Sequence, residues 1–240
     1  MPIRRRTLLA SAIATTLIGL AAYAFANPGV AACAIIGTEP FVPLLDGTLV
    51  ESGSSAQDNA AVLQLLSLAR TRIQNTFGVP RAKPIVVFFN NPRAFWPLKL
   101  NEYASTSFAG TRACLIVGPK GQNVDVVAHE LMHAELFDRV GFWGRITQVP
   151  VWFDEGLAMQ VDFRPKYILA GGATPKTKSV KTLDAARDFF VSDNDLLTWN
   201  YSAAKVEVAQ WLAEVGNSSV YGRLSLIRAG ASFNAVTRSN

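Results

Sequence analysis

The run His129-Glu130-Leu131-Met132-His133-Ala134-Glu135 holds both histidines of this 240-residue chain. Residues four apart lie one above the other on the same face of an α-helix. Two imidazoles at 129 and 133 can therefore grip one metal ion, and Glu130 can reach a water on that ion. The surroundings read as a helix buried on one side. Val124, Val127, Leu131 and Ala134 recur at helical spacing, opposite a polar edge. Asn123 suits the N-cap, and Asp125 falls in the first turn, where the helix dipole favours negative charge.

A catalytic zinc takes three protein side chains and leaves a fourth position for water. With both histidines used, the third ligand must be acidic or a cysteine. Downstream lies Pro150-Val151-Trp152-Phe153-Asp154-Glu155-Gly156-Leu157-Ala158. Proline is favoured in a first helical turn, so a second helix is expected from near Pro150, after a turn containing Gly141 and Gly144. A helical hairpin of this kind returns Glu155 over the first helix, with Asp154 as the rival ligand.

The His-Glu-x-x-His run with this later glutamate resembles the gluzincin metallopeptidases, the group that includes thermolysin-like enzymes and M-type aminopeptidases. The likeness is good over 124–160 and holds only in outline elsewhere. It implies an α+β, zincin-like fold: a small mixed sheet, an active-site helix and a helical C-terminal half. It also implies Zn²⁺ as cofactor, His129, His133 and Glu155 as its ligands, and a peptide or protein substrate. Glu130 would serve as general base and then acid, with the metal polarising the scissile carbonyl.

The oxygen that becomes negative needs further donors. No third histidine exists, so tyrosine, arginine or backbone N–H must serve. Tyr201, in Trp199-Asn200-Tyr201-Ser202 and expected just ahead of an apolar helix, is the candidate, with Tyr167 second. Thermolysin-like enzymes carry an aspartate four residues after the ligand glutamate. Met159 stands there in this chain, which leaves Asp125, Asp154 or Asp162 to orient the histidines. No exopeptidase-type GAMEN motif precedes the helix, so endopeptidase is the default expectation. The alternative is a catalytically inactive relative that binds or assembles something at the membrane. The intact Glu130 favours an enzyme.

Half the residues are hydrophobic, ample for one domain over 39–240. The net charge is +5, but Arg4, Arg5 and Arg6 supply three of those charges, and no basic recognition helix or RNA-binding motif appears, so nucleic acid is not an expected partner. Residues 1–38 read as a signal sequence or membrane anchor: three arginines, then an uncharged apolar helix over 7–26, long enough to span a bilayer. Ala24-Phe25-Ala26 offers a cleavage site. Either reading exports the domain from the cytoplasm. Cys33 and Cys114 are the only cysteines. They can pair in an exported protein or stay free. The cations Arg164, Lys166, Lys176, Lys178 and Lys181 flank Gly171-Gly172 in an expected solvated loop. Oligomeric state is open.

Residues 39–55, with two prolines and two glycines, look like a linker. A helix is expected over Ala56–Phe77, with Ser55 and Asp58 as a capping box and Gly78 and Pro80 as its stop. Ile85-Val86-Val87-Phe88-Phe89 and Ala113-Cys114-Leu115-Ile116-Val117 read as strands. The stretch 104–117 is the candidate edge for pairing with an extended substrate, or else an ordinary hairpin. Further helices are expected at about 183–191, 202–215 and 219–229.

Overall fold

In the computed structural model, which describes residues 16, 19, 22, 27–36, 41–91, 93, 98, 100–109, 111–168 and 179–238, the order is α1 (Pro28–Ile35), β1 (Phe41–Pro43), β2 (Leu49–Glu51), α2 (Ala56–Phe77), β3 (Ile85–Phe88), β4 (Ala104–Ala109), β5 (Arg112–Val117), α3 (Val124–Thr147), α4 (Val151–Ala158), α5 (Ala186–Phe189), α6 (Asn194–Val215), α7 (Val220–Arg228) and α8 (Phe233–Thr237). The architecture is α+β. The sheet is small and mixed, in the order β1-β2-β3-β5-β4. β2, β3 and β5 run parallel, and the two edges, β1 and β4, are antiparallel to their neighbours.

Alternation along the strands sorts side chains to two faces. Val86, Phe88, Leu115 and Val117 join Leu66, Ile73 and Phe77 of α2 and Val127, Leu131 and Met132 of α3 in the main core. Val87, Phe89, Cys114 and Ile116 face the other way, where Ala32 and Cys33 of α1 cover them. Cys33 and Cys114 form a disulfide, with Cα atoms 6.1 Å apart. Residues 28–36, expected within the N-terminal segment, are thus packed on the sheet. The basic and apolar stretch before them, with its cleavage site, lies outside the described residues apart from 16, 19 and 22. No helix among the described residues is long and apolar enough to cross a membrane.

Local signals place several elements well. Ser55 and Asp58 form the capping box of α2, and Gly78 ends it at φ 97°. Asn123 accepts from Val126 N–H at the start of α3. Pro150 immediately precedes α4. Other expectations need correction. The supposed linker forms β1 and β2, each three residues long, joined by a turn with Gly47 at φ 84°. The glycine turn after the histidines is a kink inside α3, where Gly141 takes φ 76°, a region open to glycine without steric cost. The helix expected over 183–191 shrinks to α5, and that expected from 202 begins eight residues earlier as α6.

Candidate metal centre

The middle of α3 is the most enclosed stretch of the fold. From 126 to 137 every residue is buried except Glu130. The expected one-sided helix is instead wrapped by the sheet, α2, α4 and α7, and the glutamate is its one window to solvent. α4 then crosses back over α3. Gly156 allows α6 to approach it: a Cβ there would lie 2.5 Å from the Ala204 carbonyl oxygen and 2.6 Å from Val208 Cγ2. Tyr201, one turn before Ala204 on α6, is thereby brought beside Glu155 and the histidines.

His129, His133 and Glu155 converge and are all buried. The two Nε2 atoms are 3.1 Å apart, and Glu155 Oε2 lies 3.3 Å from His129 Nε2 and 3.5 Å from His133 Nε2. Tetrahedral ligands about 2.0–2.1 Å from one ion stand about 3.3–3.4 Å from each other. The triangle of donor atoms therefore has the dimensions of one face of such a site. Glu155 Oε2 has no hydrogen-bond partner despite its burial, and an orphaned buried carboxylate oxygen is costly unless a cation satisfies it. The residues fit a metal ion.

A surrounding layer orients these groups. Asp154, the rival ligand, points elsewhere: its Oδ1 is 2.8 Å from His133 Nδ1, and its other oxygen pairs with Arg145. A proton held on Nδ1 by Asp154 leaves Nε2 with its lone pair toward the triangle. Asp162 Oδ2 is 3.6 Å from His129 Nδ1, beyond hydrogen-bond length, and both Asp162 oxygens are clamped by Arg164. Asp125 does not approach the histidines; it pairs with Arg72 and accepts from Phe163 N–H. Glu130 leans on the edge strand, where Thr106 Oγ1 is 2.7 Å from its Oε2.

Burial alone would hold His133 uncharged, but the Asp154 and Glu155 carboxylates outweigh it and raise its pKa well above the usual value. Burial likewise opposes the charge on Glu155, yet the positive charge of the adjacent histidines holds its carboxyl far below the usual range. Both shifts go in the direction of a pocket that favours positive charge.

Tyr201 lies inside α6, not ahead of a helix. Its ring is 6.2 Å from that of His129 and 5.3 Å from that of Tyr167, and it packs edge-on to Phe189. Burial, with the nearby Glu155 charge, pushes its hydroxyl well above the usual tyrosine value, so it stays a donor. The solvated loop is only partly so: Arg164 clamps Asp162, Lys181 pairs with Glu207 at 2.7 Å, and 169–178 fall outside the described residues. A cavity of about 620 Å³ beside the α3–α4 connection is lined by Trp152, Phe153, Trp211 and Phe233, and by none of the donor residues.

The contacts of Thr106, Arg145 and Arg164 were not anticipated from sequence. Only the Arg164-to-Asp162 pair is close along the chain, and no motif marks the others. No protein-family model, curated protein or solved structure matches the chain, so the site is read from its own residues.

Proposed function

We propose that this chain is a zinc-dependent peptidase of the gluzincin kind, with a zincin-like fold, acting outside the cytoplasm. The observation that carries this is the triangle of His129, His133 and Glu155 donor atoms with Glu130 on the next residue of the same helix. Two imidazoles and one carboxylate are a common catalytic donor set for zinc. Bound there, zinc supplies a Lewis acid and lowers the pKa of water toward neutrality.

The remaining work falls to the chain. The Glu130 carboxylate, half-exposed and held by Thr106, accepts a proton from the attacking water and passes it to the departing amine nitrogen. The Tyr201 hydroxyl donates to the oxygen that becomes negative. β4 offers the peptide its backbone. Gly118 N–H donates to the Tyr103 carbonyl at 2.8 Å, and antiparallel alternation then turns the polar groups of Thr106 and Phe108 to the open edge, while Asn101 Nδ2 donates to the Ala104 carbonyl. An extended substrate pairs there with little sequence preference, which favours an endopeptidase. Export is supported by the Cys33–Cys114 disulfide, a bond that persists in oxidising compartments.

The test is Glu130→Gln in the purified full chain, with zinc content and hydrolysis of a mixed fluorogenic peptide library read together. Zinc is retained and hydrolysis falls at least about a hundredfold. Unchanged hydrolysis removes Glu130 from the mechanism. Bound zinc with no hydrolysis in the wild type points to a non-catalytic relative.

A further inference from the structure

Beyond the Gly141 kink, α3 presents three large apolar side chains to solvent. Phe142 is 38% exposed, Ile146 56% and Trp143 72%. Phe142 and Ile146 are one turn apart on the same side, and the Phe142 and Trp143 rings meet edge-on at 5.3 Å. A cluster of this kind on the surface marks a contact with something apolar.

Two observations say what. The first is charge. Shallow depressions run from this cluster past Arg228 to Arg81 and on to Lys83 and Arg112. All four cations are exposed. Asp138, the carboxylate among them, is taken by Arg81. The second is the placement of α1. Gly29, at the start of α1, lies directly against Ser107. The next residue of β4, Phe108, stacks on Phe137 of α3 at 4.6 Å and lies 5.4 Å under the Arg145 guanidinium. Gly29 thus meets β4 one residue before the position that packs against α3, on the opposite face of the sheet.

We propose that the exposed cluster is part of a membrane-facing surface, with Phe142, Trp143 and Ile146 inserted at the headgroup boundary of an anionic phospholipid bilayer and the basic rim against its phosphates. Tryptophan is favoured at that depth, an apolar helix face rimmed by cations binds such interfaces, and each nearby lysine or arginine adds attraction to anionic lipid. The surface is independent of the metal centre, so neither reading depends on the other.

The test uses the full chain reconstituted in vesicles of equal phosphatidylglycerol and phosphatidylcholine, with brominated or ordinary acyl chains. Bromine quenches tryptophan fluorescence only at close range, and 7–26 contains no tryptophan, so quenching reports the folded part. The wild type is quenched, and Trp143→Phe loses most of that quenching. Lys83→Gln with Arg112→Gln lowers quenching in the anionic mixture and leaves that in phosphatidylcholine alone unchanged. Equal quenching of wild type and Trp143→Phe, or none in either, overturns the proposal. So does a Trp143-dependent dimer in detergent with no quenching in vesicles, which would assign the surface to a second copy of this chain.

Discussion

Replacing Asp154 with alanine separates the roles of the two adjacent carboxylates. Asp154 joins His133 Nδ1, 2.8 Å away, to Arg145. Two effects follow. The imidazole loses the partner that sets its tautomer and orientation, which lowers metal affinity about 10–100-fold, or roughly 1.4–2.7 kcal/mol. Arg145 loses its counter-charge. Stranding one member of a buried pair costs about 3–5 kcal/mol. Arg145 keeps 20% of its side chain exposed against 1% for Asp154, so water recovers part of this and about 2–3 kcal/mol is expected. The chain still folds, since domains hold about 5–15 kcal/mol. Zinc affinity is measured by competition with a chelator, and stability by urea unfolding of metal-free protein. Adding Arg145→Met to Asp154→Ala restores most of the stability and leaves zinc affinity low. Wild-type zinc affinity in Asp154→Ala would refute the reasoning, because His133 would then need no orienting partner.

Gly156→Ala forces α4 and α6 apart, since its new methyl would meet the Ala204 backbone; overpacking of this kind costs about 1–3 kcal/mol, read by thermal unfolding, and peptide hydrolysis falls with it as Tyr201 moves. Tyr201→Phe lowers kcat by about 10²–10³ with zinc content unchanged; a wild-type kcat would take the hydroxyl out of the reaction. In metal-free protein the raised pKa of His133 means that its contribution to stability is complete below the unfolded value of 6.5 and is lost as pH rises through the folded value. Zinc competes with that proton, so the gain in Tm on adding zinc grows as pH rises above 6.5; calorimetry with and without zinc across pH checks this, and a constant gain would contradict it.

What could be read in the sequence was local. The capping pair Ser55 and Asp58, the Asn123 cap and Pro150 each act within one helical turn, so α2, α3 and α4 could be bounded directly. The cluster that could hold a metal was legible because His129 and His133 share a turn and one short hairpin returns Glu155. β1 and β2 were missed because three residues are too few to show alternation, and the pairing of β2 with β3 comes from 38 positions further on. Tyr201 was expected before a helix starting at 202, whereas α6 begins eight residues earlier, capped by Asp193, and Asn200 donates to the Phe189 carbonyl within the core. Thr106 against Glu130 and Arg145 against Asp154 are products of packing between elements, and no spacing announces them.

In the proposed enzyme, two imidazoles and the Glu155 carboxylate hold one cation. Metal analysis after equilibrium dialysis against zinc, on wild type and on Glu155→Ala, tests it most directly. About one zinc per chain in the wild type, with much weaker retention in the variant, is the predicted result. Zinc-free wild type, or equal zinc in both proteins, would contradict it.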